Sequence, residues 1–188
     1  KATGEVVEVL GDVTTPGMEI DVALRMHEIP HEWPQGIDQE LASLPDEPNE
    51  QDTHYRADYR HLPFVTIDGE DAKDFDDAVY CEANKNGGWT LYVAIADVSH
   101  YVQVNSLLDQ EARLRGNSVY FPGHVVPMLP EKLSNGLCSL RPKVDRLVMV
   151  CKMAINTEGD ITDYSFSEGV IHSHARLTYT EVAAMVQP

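Results

Sequence analysis

Cationic side chains are scarce in this sequence of 188 residues. Lys and Arg together number 14 against 31 Asp and Glu, which gives a formal net charge of −17 with His neutral. Because Lys and Arg provide most protein contacts to phosphate groups, this balance by itself counts against a surface that binds nucleic acid. It still allows a nucleic-acid enzyme whose carboxylates hold metal ions and whose basic surfaces lie elsewhere in a longer protein.

Cysteines and long apolar runs are also scarce. Cys81, Cys138 and Cys151 are far apart and form no C-x-x-C pair, which argues against a disulfide framework or a zinc site and predicts a reducing, cytoplasmic setting. No stretch approaches about 18 consecutive apolar residues, so we expect no membrane-spanning helix. The sequence shows no signal peptide and no initiator Met, and its last residues resemble an unfinished helix. We therefore expect a fragment of a longer protein.

Three segments differ in composition. Residues 1–30 hold two β-prone runs, Val6 to Leu10 and Ile20 to Leu24, separated by the turn signal Pro16-Gly17, and predict the end of a small β module. Residues 31–61 are rich in proline and acids and predict a linker with one short helix. From residue 62 to residue 188, apolar runs alternate with turn signals, so we expect the main domain there.

The third segment predicts an α+β fold with a mostly antiparallel sheet and flanking helices. Asn86-Gly87-Gly88 is a hairpin signal between two β-prone runs. Ser106 and Gly116 are residue types that begin and end helices, and Thr178 with Glu181 matches a capping box for a final helix. The predicted strands are Phe64 to about Asp68, Ala78 to Cys81, Trp89 to Ala96 and Arg146 to Ile155.

A cluster of carboxylates separates the first two of these strands. Six acids fall within ten residues, namely Asp68, Glu70, Asp71, Asp74, Asp76 and Asp77, and only Lys73 offsets them locally. Two carboxylates about 4 Å apart repel by roughly 4 kcal/mol at an effective dielectric near 20. If the acids converge, they therefore need a hard cation such as Mg²⁺, Mn²⁺ or Ca²⁺. The alternative is a solvated acidic loop, but the apolar flanks and the lack of Ser and Asn make that reading weaker.

An EF-hand does not fit this segment. A loop that starts at Asp74 needs Gly at its sixth position and Glu at its twelfth, whereas this sequence has Val79 and Lys85 there. The cation site, if present, is therefore of another kind.

The segment TIDGEDAKDFDDAVY resembles the signature at the start of the catalytic domain in the ribonuclease II/ribonuclease R family of exoribonucleases. Further segments agree in the same order: IADVSHYV, NSVYFPGHVVPMLP, LSNGLCSLRP and HARLTYTEV. Upstream, GMEIDVALRMHEIPHEWP resembles the end of the cold-shock module that precedes this domain, and the Gly-Glu-Asp-Ala-Lys spacer is closer to the ribonuclease R branch. The resemblance implies an OB-like β-barrel module ending near residue 30 and the first part of an RNB catalytic domain from residue 62.

The resemblance also implies an activity and a site. Members of this family hydrolyse single-stranded RNA processively from its 3′ end and release nucleoside 5′-monophosphates. Asp68, Asp74 and Asp77 match the aspartates that hold Mg²⁺, with Mn²⁺ as a possible substitute, and Asp74 and Asp76 match the catalytic pair. Asp76 is the aspartate most closely tied to the chemical step, and Tyr120 matches the tyrosine that stacks on the 3′-terminal base.

Two other functions stay open at this stage. A non-catalytic RNA-binding module fits the cold-shock-like start, although such a binder has no use for an intact set of aspartates. A structural Ca²⁺-binding domain fits the carboxylates alone. Because the catalytic domain of this family continues beyond the matched region, we expect the fragment alone to degrade RNA poorly. We also expect a monomer that does not contact membranes.

Overall fold

A seven-stranded sheet is the frame of the molecule. The computed structural model describes residues 3–12 and 14–187. The strands are β1 (Ala57–Asp58), β2 (Val65–Asp68), β3 (Asp77–Ala83), β4 (Trp89–Ala96), β5 (Val119–Phe121), β6 (His124–Val126), β7 (Asp145–Ile155), β8 (Ile161–His172) and β9 (Ala175–Thr178). The sheet order is β1-β8-β7-β4-β3-β2-β9, and β5 and β6 form a separate hairpin. The β1–β8 and β2–β9 pairs are parallel and the other four pairs of the large sheet are antiparallel, which confirms the α+β prediction.

Six α-helices flank the sheet in the described residues. They are α1 (Met18–Met26), α2 (Ile37–Ser43), α3 (Glu50–Thr53), α4 (Val98–Tyr101), α5 (Leu107–Arg115) and α6 (Tyr179–Val186), and a π-helical segment spans Lys132–Leu137. Helix α5 begins with the Ser106 hydroxyl accepting from the Asp109 N–H, and it ends at Gly116 with φ of 74°, as the sequence predicted. The capping box of Thr178 and Glu181 is likewise confirmed. Within the described part of the chain, no helix is long and apolar enough to cross a membrane.

The β3–β4 hairpin requires glycine at its turn. Gly88 has φ of +76°, and a Cβ atom there would lie 2.2 Å from the Ile155 carbonyl oxygen. Neither that backbone conformation nor that close approach suits another residue. The turn thus places β4 between β3 and β7, where it pairs along its whole length with both.

The core lies on one face of the sheet. Tyr92, Ala94 and Ala96 alternate along β4 and are buried against helices and loops, with Leu108 of α5 and Leu133 among their buried neighbours in the cluster. The opposite face carries Leu91, Val93 and Ile95 from the same strand. Ile95 on that face remains 47% exposed. The face of β4 with the larger aliphatic side chains is therefore not the face that packs against the core.

The N-terminal segment differs from the prediction. The β-prone run from Ile20 to Leu24 lies inside α1, so its assignment as a strand was wrong. Glu19 and Asp21 in the first turn and Arg25 in the last turn match the helix dipole. Residues 3–12, with the other predicted run, form neither helix nor strand, and residues 1, 2 and 13 lie outside the described residues. The boundaries of the β module stay a prediction.

The proline-rich segment at 31–61 packs onto the main domain. It contains α2 and α3 where one short helix was expected. Ile37 is buried, and the Arg115 guanidinium lies 3.6 Å from the centre of the Trp33 ring. A buried ion pair of 2.6 Å joins Arg56 to Asp97, the residue that follows β4. This ion pair therefore fixes the segment to the sheet.

Candidate active site

The aspartate segment forms one wall of a cleft of about 1370 Å³. Asp68, Asp74 and Asp76 line this cleft from the β2–β3 connection. The β5–β6 hairpin lines it from another side with Tyr120, and part of the π-helical segment completes it. Most of the cleft is thus formed by the β2–β3 connection and by the β5–β6 hairpin with its flanking residues.

Strand pairing and backbone hydrogen bonds fix the aspartate loop. Strand β2 ends at Asp68 and its antiparallel neighbour β3 begins at Asp77, so both ends of the connecting loop lie at the same end of this strand pair. Phe75 is buried; its N–H donates to the Ser139 hydroxyl at 3.2 Å and its carbonyl accepts from the Leu140 N–H at 2.7 Å. The Ala96 N–H donates to the Asp76 carbonyl at 2.8 Å. The loop therefore has a defined position at its Asp76 end.

The carboxylates repel one another in this arrangement. Burial raises the pKa of Asp68, and the charges of Asp77, Asp76 and Asp74 raise it further. Burial also raises the pKa of Asp77, with the charge of Asp76 adding to the effect. The charges of Asp74, Asp76 and Asp77 therefore all act on the Asp68 carboxylate. A cation would stabilise their ionised forms.

One carboxylate oxygen lacks a partner. The Oδ2 atom of Asp68 is buried and has no hydrogen-bond partner among the described residues. An ionised oxygen in that position is costly without a donor or a cation. An all-oxygen donor set of this kind fits a hard divalent ion such as Mg²⁺. In the described residues, no three His, Cys, Asp or Glu side chains already lie close enough together to hold a metal ion.

Asp77 is placed differently from the other three aspartates. It pairs directly with Ile95 on β4, so its side chain lies on the sheet face opposite the core. It does not line the cleft, although its charge acts on Asp68. The structure thus brings Asp68, Asp74 and Asp76 to one cleft and leaves Asp77 at its border. The metal-binding role of Asp77 stays a prediction.

Tyr120 contacts the aspartate cluster. Its hydroxyl donates to Asp74 Oδ2 at 2.7 Å, across 46 positions of sequence. The side chain is 64% exposed, so Tyr120 is not a core residue and its ring is accessible for stacking. The hydrogen bond to Asp74 raises the pKa of Tyr120. The predicted base-stacking residue and a predicted metal ligand are therefore in direct contact.

Arg176 is a site residue that the sequence reasoning missed. It lies on β9, whose parallel pairing with β2 places it opposite Thr66, two residues before Asp68. Its guanidinium donates to the carbonyl oxygens of Gly69 and Glu70 and lies 5.4 Å from the centre of the Phe75 ring. Its charge opposes the rise that burial causes in the pKa of Asp68. Only the segment HARLTYTEV, which contains it, signalled its importance.

Comparison with known proteins gives the chain a family. The model of the RNB domain matches residues 56–188, and that of a cold shock domain matches residues 1–34. Ribonuclease R of Escherichia coli is 60% identical over 187 residues, which is 100% of this chain and 23% of the relative. The chain thus spans less than a quarter of the length of that relative.

Solved structures show the same fold. Mycoplasma genitalium RNase R in complex with double-stranded RNA superposes with a TM-score of 0.88 at 40% identity, over 95% of this chain and 32% of that one. Yeast Ssd1, a pseudonuclease, superposes with a TM-score of 0.79 at 22% identity, over 95% of this chain and 23% of that one. The second likeness concerns the fold alone. The resemblance drawn from the sequence motifs is confirmed, and the chain belongs to the RNB-domain family.

Proposed function

We propose that this chain forms the metal-binding part of the active site in a processive 3′-to-5′ exoribonuclease that releases nucleoside 5′-monophosphates. The observation that carries the proposal is the cleft in which Asp74 and Asp76 lie beside a buried, unpartnered Asp68 oxygen. A protein that merely exposes an acidic loop to water gains nothing from burying one of its carboxylates.

The chemistry follows from the donor set. Asp68 and Asp74 would hold Mg²⁺ at the cleft, or Mn²⁺ in its place, and Asp77, which lies outside the cleft, is the third ligand that the family resemblance implies. When bound by these residues, such an ion would supply an activated water and charge neutralisation on the phosphate. Asp76 lines the cleft, and its backbone carbonyl accepts a hydrogen bond from the Ala96 N–H, which fixes this residue at the end of the loop. Asp76 and Asp74 are the proposed catalytic pair.

The proposed substrate is the 3′ end of single-stranded RNA. Tyr120 offers an exposed ring at the cleft, and stacking on such a ring is worth about 1–3 kcal/mol per base without preference for sequence. The chain carries a net charge of −17 and several aspartates line the cleft, so a bound cation would offset the repulsion between these carboxylates and a phosphate. Basic surfaces for the rest of the RNA would lie in the parts of the protein that this chain does not include.

A non-catalytic RNA-binding module is the second candidate. The fold is shared with a pseudonuclease, so the fold alone does not imply hydrolysis. The four aspartates at 68, 74, 76 and 77 favour the enzyme, because a binder of polyanions is weakened by acids in its binding cleft. A cytoplasmic location and a monomeric state remain predictions from the cysteine content and the resemblance.

The test is digestion by the full-length protein. An RNA labelled at its 5′ end is incubated with Mg²⁺, with Ca²⁺ or with a chelator, and the released products are identified by chromatography. The proposal predicts nucleoside 5′-monophosphates and progressive shortening from the 3′ end with Mg²⁺ only. RNA binding with no shortening under any of these conditions would favour the binding module. Tight Ca²⁺ binding with neither activity would favour a structural domain.

A further inference from the structure

We infer that the Tyr120 hydroxyl positions Asp74 for metal binding, so that Tyr120 serves the metal site as well as the RNA end. This inference rests on the proposed function, because it takes Asp74 as a metal ligand. It assigns to Tyr120 a second role that stacking does not require, since a ring stacks equally well without a hydroxyl.

The geometry joins a hydroxyl on a paired strand to a carboxylate whose other hydrogen-bond donors are absent among the described residues, although the backbone on both sides of Asp74 is anchored. Tyr120 lies in the middle of a paired strand, with Val119 opposite Val126 and Phe121 opposite His124. The Ser118 hydroxyl accepts from the Met128 N–H at 3.0 Å and ties the base of this hairpin together. Asp74 instead lies in the irregular loop between β2 and β3. The hairpin therefore holds the hydroxyl in place, and the hydroxyl orients the carboxylate.

The exposure of Tyr120 matters for interpreting its hydrogen bond to Asp74. A buried tyrosine must find a partner for its hydroxyl, but the Tyr120 side chain is 64% exposed and could hydrogen-bond to water instead. The hydroxyl nevertheless donates to Asp74 Oδ2 at 2.7 Å, the normal distance of a strong O–H···O bond to a charged acceptor. The contact is thus specific to the carboxylate and not a consequence of packing.

The hydrogen bond leaves Asp74 competent as a ligand. An ionised carboxylate has two oxygens and about four acceptor positions, and the hydroxyl uses one of them on Oδ2. The Oδ1 atom remains available to a cation. Hydrogen bonds of this type to ligating side chains fix their orientation, and their removal typically costs 10–100-fold in metal affinity. The hydroxyl therefore supports the metal and does not compete with it.

The arrangement predicts coupling between RNA and metal. A terminal base that stacks on the Tyr120 ring restrains the ring and, through the hydroxyl, the Asp74 carboxylate. Any increase in metal affinity caused by the RNA end must be matched by an equal increase in RNA affinity caused by the metal, because binding linkage is reciprocal. Tyr120→Phe keeps the ring and removes this link.

The experiment measures Mn²⁺ binding to the full-length protein without RNA, by titration calorimetry or by electron paramagnetic resonance. Because the protein is acidic, the relevant site is defined as the one that disappears in Asp74→Asn. Tyr120→Phe should weaken binding at this site by about tenfold. The matched control is Tyr164→Phe, which removes a hydroxyl from a side chain that is also 64% exposed but lies outside the cleft, and it should bind Mn²⁺ as the wild type does.

The outcomes separate the two proposals. Suppose that the wild type has a Mn²⁺ site that Asp74→Asn removes, and that Tyr120→Phe binds Mn²⁺ there as tightly as the wild type or more tightly. This result would overturn the positioning role of Tyr120 and leave the proposed enzyme intact. A wild-type protein with no such site would overturn the proposed metal centre itself.

In Tyr120→Phe the end-product length should stay unchanged while the Mg²⁺ concentration for half-maximal digestion rises. If Tyr120→Phe lowered the melting temperature together with the Mn²⁺ affinity, the inference would be contradicted, because an exposed hydroxyl on a surface hairpin should not support the fold.

Discussion

Replacing Arg176 with methionine should loosen the aspartate loop without unfolding the sheet. The substitution keeps most of the side-chain volume but removes the donors to the Gly69 and Glu70 carbonyls and the positive charge beside the Phe75 ring. A hydrogen bond that involves a charged group typically contributes about 1.5–3 kcal/mol. Because Gly69 and Glu70 are both exposed, water replaces part of this, and we expect a loss of about 1.4 kcal/mol in the preference for the observed loop position.

That loss sets the size of the effect on metal binding. A change of about 1.4 kcal/mol corresponds to a factor of ten, so the apparent Mg²⁺ affinity should fall by at most about tenfold. The loss of the Arg176 charge also lets the pKa of Asp68 rise further above its usual range. A carboxylate with a higher pKa becomes protonated at a higher pH, so the acidic limb of the pH–rate profile should move upward.

The assay is RNA digestion by the full-length protein over a range of Mg²⁺ concentration and pH, with a melting curve for each variant. Arg176→Lys retains the charge but not the forked donors, so it should restore the pH limb more fully than the Mg²⁺ affinity. Arg113→Met removes an exposed arginine on α5 and serves as the control. Unchanged Mg²⁺ dependence and an unchanged acidic limb in Arg176→Met would refute the role of Arg176.

Three further predictions concern other parts of the site. Tyr120→Ala should leave the melting temperature nearly unchanged, because the side chain is 64% exposed, and should yield a longer end product on a denaturing gel, since a stacking platform worth about 1–3 kcal/mol is lost; an unchanged product would exclude stacking. The pKa values of Asp68 and Asp77 are raised in the folded state, so their contribution to stability is present at low pH and is lost as the pH rises through the raised values. Without metal, the melting temperature should fall as the pH rises through this range, and Mg²⁺ should remove the fall. An equal fall in Asp68→Asn would assign the effect to other groups. The 188-residue chain alone should bind Mg²⁺ weakly and digest RNA poorly, because Mg²⁺ often completes its shell with substrate phosphates that this piece cannot hold; robust processive digestion by the piece would contradict this.

Local patterns predicted β2, β3, β4 and β7 and the helix ends at Ser106, Gly116 and Thr178, but they did not indicate β5, β6, β8 or β9. Asn86-Gly87-Gly88 specifies a tight turn chemically, and Ser106 and Gly116 mark where α5 begins and ends. Such signals act over a few residues and can be read along the chain. The run from Ile20 to Leu24 was misassigned because a short apolar stretch fits either a strand or a helix, and the acids in the first turn and Arg25 in the last turn of α1 favour the helix.

Contacts between distant segments could not be predicted in the same way. Arg176 reaches the aspartate loop only because β9 pairs in parallel with β2, across more than 100 positions. Tyr120 meets Asp74 only because the β5–β6 hairpin folds over the loop. The face on which Asp77 lies depends on its register with Ile95, and a shift of one residue would reverse it. The aspartates and Tyr120 were candidates from the sequence, but the contact between Tyr120 and Asp74 and the position of Arg176 beside the loop were not predicted.

The most direct test of the central claim is single-turnover digestion of RNA by the full-length Asp76→Asn variant in Mg²⁺, with RNA binding measured in parallel. Asn keeps the shape of the side chain and removes its charge. A loss of about 4 kcal/mol in transition-state stabilisation predicts a rate roughly a thousandfold lower, with RNA affinity retained. Hydrolysis at close to the wild-type rate would contradict the assignment of this cleft as the catalytic site.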